Sequence, residues 1–556
     1  MNRTSSLFRK AGLYYHTLRH SRPSQLYGRL WFARPRFFRE LKEAPEIRYV
    51  RPQTSFIPQP VVTEDFNRFR FLNEEHALEN LGWDDPNVPL LWRYKLHYFE
   101  CLTQRERPSE AEFDAMRSLL GRWMCENPFG KGTAFRPYPL SLRIVNWVKF
   151  HRNTGGLDEG ALLCLWNQVR FLSDRPEHYV YGNHLFSNAK ALLFGSTLFA
   201  GEESARIHRQ AMDIVLKELD EQFLPDGGHF ELSPMYHALA MEDLLDLMNV
   251  SEAFPGDFPR ERIVAKIRKG LAWLSDFTYS NGELANFNDT ANGIAPSFAQ
   301  LADYAGRLGF PVHTGNDKPI WYHPESGYVV VSDELVHLLM DVGRAGCDYI
   351  MAHAHADTLS FELSVRGHRL IVNSGISRYG VSEQRQRERG TGSHSTVEVD
   401  GKDSSEVWMG FRVARRAMPF GLDIRFNEED GKCMVACSHD GYRRLKGRPV
   451  HRRTWRYNPS EGLFVKDEVI GACRRAVSRL YLHPEVEPRL VGSAIELHRL
   501  GERLAMVTAR REDGDSIPMD VKDSLFHRGF GDSVPNRCLV VEWDGRGSVE
   551  FGFVIG

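Results

Sequence analysis

The sequence predicts a multidomain protein that is helical first and β afterwards: helical hairpins about a common axis, then an antiparallel β-sandwich. Three observations carry this. From about residue 110 to 310, apolar residues recur at spacings of three and four. Beyond about residue 320 they alternate with polar ones between Gly, Asn and Asp turns. No helical pattern intervenes between those later strands, so neighbours must run antiparallel. At 556 residues the chain is too long for one ordinary core.

Taken in order, residues 1–60 open with "MNRTSSLFRKAGLYYHTLRHSRPSQLYGRLWFARPRFF". The stretch lacks the apolar core and small-residue cleavage site of a secretory leader, which sets the expectation of a cytoplasmic protein. It reads as a basic, aromatic helical arm packed on a neighbouring domain. Residues 61–318 form the predicted helical domain. Its periodic segments include "FDAMRSLLGRWMCEN", "LSLRIVNWVKFHRN", "HLFSNAKALLFGSTLFAG" and "MYHALAMEDLLDLMNVSEAF", separated by short Pro, Gly and Asn breaks. The texture changes in "HTGNDKPIWYHPESG", and residues 319–556 read as the sandwich, from "SGYVVVSDELVHLLMDVG" to "RCLVVEWDGRGSVEFGFVIG".

Composition excludes some functions. The formal net charge of −2 argues against bulk binding of nucleic acid. No stretch of about 18 apolar residues predicts a membrane span. The eight cysteines include no CxxC pair, so neither a zinc knuckle nor a redox motif is supported. Two Arg-rich runs, residues 378–389 and 443–456, are either solvated faces or a groove for an anionic ligand.

Three stretches carry chemistry. In "YVYGNHLFSNAKALL", Asn183 and His184 stand at a helix start. Asn183 either caps that helix or, with His184, faces a central cavity. In "PDGGHFELSPMYHALAMEDLL", Ser233 and Pro234 make an N-cap and first helical position, which puts Tyr236 and His237 in the first turn. The helix end favours an anion there, so a Tyr beside cations can exchange a proton near neutral pH. A core Tyr with a satisfied hydroxyl is the ordinary alternative. The third stretch, "MAHAHADTLSFEL", spaces His353, His355 and Asp357 by two, so on a strand all three share a face. Its HxHxD resembles the HxHxDH motif of metallo-β-lactamase-like hydrolases, but Thr358 stands where the last His belongs. With His394 of "RGTGSHST", two imidazoles and an oxygen ligand suit an open zinc site. A metal-dependent hydrolase built on His353, His355, Asp357 and His394 is therefore one reading.

Taken together and in order, "GNH", "DGGHFELSPMYH", "HAHADTLSFEL…G…LIVNSG" and "RGTGSHST" resemble the heparinase II/III family of polysaccharide lyases. "YKLHYFE" and "PYPLSLRIVNW" resemble members found in bacterial exopolysaccharide and capsule gene clusters. The resemblance implies an incomplete α/α toroid followed by an antiparallel β-sandwich. It also implies β-elimination at a uronic acid in an acidic polysaccharide, where the enzyme must neutralise the carboxylate before a base removes the C5 proton. The implied catalytic residues are Tyr236, His353, Asn183 and His184. Substrate contacts would come from His237, Glu231, Tyr379, Arg385 and Arg389, the two arginines in bidentate fashion. Zinc or another divalent cation would sit on His355, Asn373 and His394, with no organic cofactor. Where relatives carry Asp in a "VDSG" turn, this chain has Asn373, which brings no negative charge to a metal. A non-catalytic glycan-binding or assembly protein on the same fold is the other alternative.

Overall fold

The computed structural model describes residues 3–32, 34, 37–48, 52–254, 258–312, 318–545 and 547–555. Its helical half is made of antiparallel hairpins. Helices run Glu110–Glu126, Pro137–Thr154, Glu159–Ser173, Gly182–Leu198, Glu202–Gln222, Pro234–Asn249 and Arg260–Asp276, close to the spans that the periodicity predicts. Several starts are fixed by side chains. The Ser109 hydroxyl accepts from Glu112 N–H while the Glu112 carboxylate returns to Ser109 N–H, a reciprocal cap. Asp158 accepts from Ala161 N–H, and Ser233 from Tyr236 N–H with Pro234 following it. The Gly182–Leu198 helix is buried almost all round, as an inner helix must be. Trp123, Trp147 and Trp166 fill the core around it. Removing one such ring would cost about 3–5 kcal/mol.

The β half pairs strands antiparallel throughout its ladders, as the alternation requires. Among the described residues it forms two large sheets of eight and nine strands, whose apolar faces share one core containing Trp455, Phe361 and Phe551. The last helix of the first half ends at Arg307 and the first strand of these sheets begins at Ile320. The first five residues of the predicted boundary stretch, 313–317, lie outside the described residues.

Three features depart from the expectations. A small hairpin, Arg68–Phe71 with Glu74–Ala77, sits inside the domain read as helical. The stretch carrying His353, His355 and Asp357 is an irregular loop, and the strand begins only at Phe361. Its backbone bonds leave the ladder for other loops: Asp289 N–H donates to His353 O at 3.1 Å and His355 N–H to Asn288 Oδ1 at 3.0 Å. The run at 443–456 is no anion groove either. Arg453 is fully buried and forks onto Asp467 at 2.7 Å through both nitrogens, while Arg444 donates to backbone carbonyls.

The N-terminal arm forms helices Arg3–Leu18 and Pro23–Phe32 and packs on both halves, with Ser24 Oγ 2.6 Å from the Tyr181 hydroxyl. Trp408 Nε1 donates to Thr17 Oγ1 at 3.1 Å, and the Arg22 guanidinium lies 3.6 Å over the Tyr349 ring while pairing with Glu221. No helix among the described residues is long and apolar enough to cross a membrane.

Candidate active site

A cavity of about 760 Å³ opens between the helical half and loops of the β half. One wall comes from the start of the Gly182–Leu198 helix. Tyr181 and Gly182 both take positive φ, +64° and +60°, to turn the chain into it. A Cβ at Gly182 would stand 2.4 Å from Glu231 Oε1, so only glycine lets this carboxylate reach the helix N-terminus. There it accepts Asn183 N–H at 3.1 Å. Tyr181 holds the N-cap position, so Asn183 is not the cap, and its side chain is left on the cavity wall.

His184 follows on the same wall. Its ring stacks on Tyr138 at 4.3 Å, and its Nδ1 meets Glu177 Oε2 at 3.1 Å, which turns Nε2 away from that carboxylate. Burial works against the imidazolium, but Glu177, by charge and hydrogen bond, and then Glu231 raise His184 above its ordinary value.

Tyr236 faces the cavity from the first turn of its helix. Its hydroxyl lies 2.9 Å from that of Tyr379, and its ring lies 3.9 Å from the His353 ring. A phenol lowered by the helix end, as the sequence suggests, is not what these surroundings impose. Burial, then Tyr379 and Tyr138, push Tyr236 well up, and burial does the same to Tyr379. Both hydroxyls keep their protons in the free protein.

Behind these rings sits a residue that sequence reasoning missed. Asp289, fully buried, accepts from His353 Nδ1 at 2.9 Å and from His355 Nε2 at 2.8 Å. Arg385 grips it with both terminal nitrogens, at 2.5 and 2.6 Å. Burial would raise this carboxyl, but Arg385 and the two histidines hold it well below its ordinary range. With Nδ1–H donated to Asp289, His353 turns Nε2 toward the cavity, 3.6 Å from Glu231 Oε2. Glu177 and Tyr138 were missed as well. The polar run "ANFNDTANG" and the carboxylate of "RPEHYVYGNH" were the signals available, and neither spacing pointed at a partner.

Three expected substrate contacts do not reach the cavity. Arg385 is fully buried and its fork is filled by Asp289. Arg389, also fully buried, donates to Ala354 O at 2.8 Å and 3.1 Å and shapes the His353 loop from behind. His237 is packed on Trp273, with Nε2 2.8 Å from Gly270 O, and burial lowers it to about 4. Glu231 and Tyr379 do line the cavity.

The expected metal ligands converge only in part. His355 Nδ1 and His394 Nε2 lie 3.2 Å apart, both fully enclosed. Burial lowers His355 to about 4 and His394 well below its ordinary value, so both are neutral. The third ligand is engaged elsewhere. Asn373 Oδ1 accepts Ser395 N–H at 3.1 Å and its amide nitrogen reaches Ser360 Oγ at 3.4 Å. Asp357 does not replace it, since its carboxylate accepts Asn288 N–H at 3.3 Å. Among the described residues no group of three or more His, Cys, Asp or Glu could hold an ion. Two imidazoles facing each other can instead share a proton as a neutral hydrogen-bonded pair, with His355 Nε2–H on Asp289 fixing the tautomer. Asn373, with its oxygen and nitrogen so engaged, brings these imidazoles no charged third donor of the kind zinc sites use.

Comparison with known proteins bears on the family and the fold. Residues 160–306 match the model of the heparinase II/III N-terminus, and residues 315–553 match the heparinase II/III-like C-terminal model. The chain belongs to the heparinase II/III family. A heparin-sulfate lyase of Bacteroides stercoris is 23% identical over 326 residues, covering 55% of this chain and 46% of that protein. This heparinase II/III-family chain thus spans about half the length of the curated relatives it matches. FtsZ-localized protein C of Caulobacter vibrioides is 23% identical over 261 residues, 45% of this chain and 42% of that one. The crystal structure of heparinase III superposes with a TM-score of 0.69 at 16% identity, over 90% of this chain and 83% of that one. The fold is therefore the incomplete α/α toroid with an antiparallel β-sandwich.

Proposed function

We propose that this protein is a polysaccharide lyase that cleaves a uronic-acid-containing polymer by β-elimination. The observation that carries the reading is His353: its Nδ1 is held at 2.9 Å by Asp289 and its ring lies 3.9 Å from that of Tyr236, tilted by 32°, on the wall that also presents Asn183 and His184. The Asn183 amide and the His184 cation neutralise the uronate carboxylate, which makes the C5 proton removable. His353 Nε2 takes that proton. The electron pair forms the C4–C5 double bond as the C4–O bond breaks. The Tyr236 hydroxyl, kept protonated by burial, donates to the departing glycosidic oxygen, and once the product leaves the proton held on His353 passes back to the Tyr236 oxygen, which Tyr379 hydrogen-bonds. Tyr236 as the base would first have to ionise against its surroundings, so the imidazole takes that role and the phenol acts as acid.

No step runs through a metal, because the His355–His394 pair and Asn373 do not offer the donors. A hydrolase built on His353, His355, Asp357 and His394 has no support in where those side chains point. The heparin-sulfate lyase relatives favour turnover over a purely binding role. Mixing the protein with a panel of uronans and following the ultraviolet absorbance of the unsaturated product tests the reading. No absorbance with any uronan, while the protein binds one of them, would refute it.

A further inference from the structure

The two arginines expected to meet an anionic polymer, Arg385 and Arg389, do not line the cleft. They are buried behind it, one on Asp289 and the other on loop carbonyls. Where the cavity continues inward past Tyr98 and Tyr138, each lysine is held by a carboxylate. Lys95 lies 3.0 Å from Glu100, Lys149 2.6 Å from Asp246 and Lys190 2.6 Å from Asp243. Among the described residues, the one Lys or Arg on the main cavity wall is Arg378, exposed at the mouth, and it is outnumbered by the carboxylates of Glu74 and Glu231. Most of the remaining wall is aromatic or aliphatic, with Tyr94, Tyr98, Phe411, Phe530, Leu90 and Ile350 prominent.

Such a wall suits one kind of polymer. A sulfate drawn into a partly dry cleft needs a cation or several donors to replace its water, and planar arginine forks are the usual answer. Among the described residues the cleft offers a single such fork, that of the exposed Arg378, against two carboxylates that repel further anions over the screening length of about 8 Å at physiological salt. A single carboxylate per repeat is served by Asn183 and His184, with Arg378 at the entrance. The apolar faces of neutral sugars fit the aromatic rings.

We propose that the cleft selects an unsulfated uronan, with one carboxylate per repeat and neutral sugar faces against its aromatic walls. The proposal rests on the lyase reading for the ligand being a uronan. The test is calorimetric binding to the Tyr236→Phe protein at low salt, using oligosaccharide pairs that share a backbone: N-acetylheparosan against heparan sulfate, and unsulfated chondroitin against chondroitin sulfate. The unsulfated member of at least one pair is expected to bind, at least tenfold tighter than its sulfated counterpart. Leu90→Arg in the same background, which adds a cation to the wall, is expected to narrow that ratio. Equal or tighter binding of the sulfated members, or no binding of either member in both pairs, would overturn the proposal. Turnover by the unsubstituted protein separates the two readings. An unsulfated polymer bound but never cut sinks the lyase reading and leaves the selectivity standing, whereas faster cleavage of a sulfated polymer does the reverse.

Discussion

Arg385→Gln separates two jobs for this arginine. If Arg385 gripped substrate, its loss would raise KM and leave the fold untouched. The structure places it otherwise: both it and Asp289 are fully buried, and two hydrogen bonds of 2.5 and 2.6 Å join them. Breaking a buried ion pair from one side costs about 3–5 kcal/mol, because the remaining charge has no solvent to return to. The Asp289 carboxylate would keep only its contacts with His353 and His355. The expected result is a urea midpoint lowered by an amount equivalent to about 3–5 kcal/mol. The disturbed carboxylate should also hold His353 less firmly, so kcat should fall roughly 10- to 100-fold, about 1.4–2.8 kcal/mol of barrier, with KM nearly constant. Arg385→Lys keeps the charge but not the fork, and should recover part of the stability and less of the rate. Initial rates from product absorbance and equilibrium unfolding supply both readouts. A KM raised tenfold with an unchanged urea midpoint would refute the argument and return Arg385 to the substrate.

Three further outcomes follow from the same geometry. Tyr236→Phe should lower kcat by about 10²–10⁴-fold while leaving oligosaccharide binding intact, since it removes one proton donor and no packing; retained turnover would displace Tyr236 as the acid. His184 is raised above its ordinary 6.5 by Glu177 and Glu231 against burial, so its cation is present at low pH and lost as pH rises through the raised value. Glu177→Gln should therefore move the alkaline limb of the rate profile to lower pH, and an unmoved limb would show that His184 need not be charged. Asn373→Asp places a carboxylate where Asn373 Oδ1 accepts the N–H of Ser395, the residue next to His394. It should make the protein retain zinc through dialysis and gain thermal stability with added zinc, whereas the unsubstituted protein should do neither; stoichiometric zinc in the unsubstituted protein would overturn the reading of that pair.

The architecture was readable because it is written in local periods. A three-and-four spacing can bury a face only as a helix, and an alternating spacing only as a strand, so most elements fall where the pattern puts them. Residues at helix starts were equally readable: Ser233 with Pro234 placed Tyr236 in a first turn, and Asn183 and His184 do stand at a helix start, although Tyr181 holds the cap. The errors fell where a side chain's partner is far along the chain. Arg385 and Arg389 read as ligand-binding because an arginine run says nothing of what lies opposite, and Asp289 is 96 residues from Arg385. The HxHxD stretch read as a strand because its spacing is two. Asn288 and Asp289, however, take its backbone and imidazole hydrogen bonds, and no pattern within 351–363 reveals that.

Asp289 also explains how chemistry is held between two halves of different architecture. Tyr236 belongs to the helical half and His353 to a loop of the β half, yet a proton transfer needs them in register within fractions of an ångström. The Ser233 hydroxyl, which caps the Tyr236 helix, donates to Asp289 O at 2.8 Å. Asp289 N–H donates to His353 O at 3.1 Å, and its carboxylate holds the His353 ring. The same residue thus fixes the start of the tyrosine's helix, the histidine's backbone and the histidine's tautomer. Register between the proposed acid, Tyr236, and the proposed base, His353, then runs through one short chain of hydrogen bonds. The Arg385 fork fits this arrangement, because a carboxylate so deeply buried can stay ionised, and so keep accepting both imidazoles, only beside a cation that cannot leave.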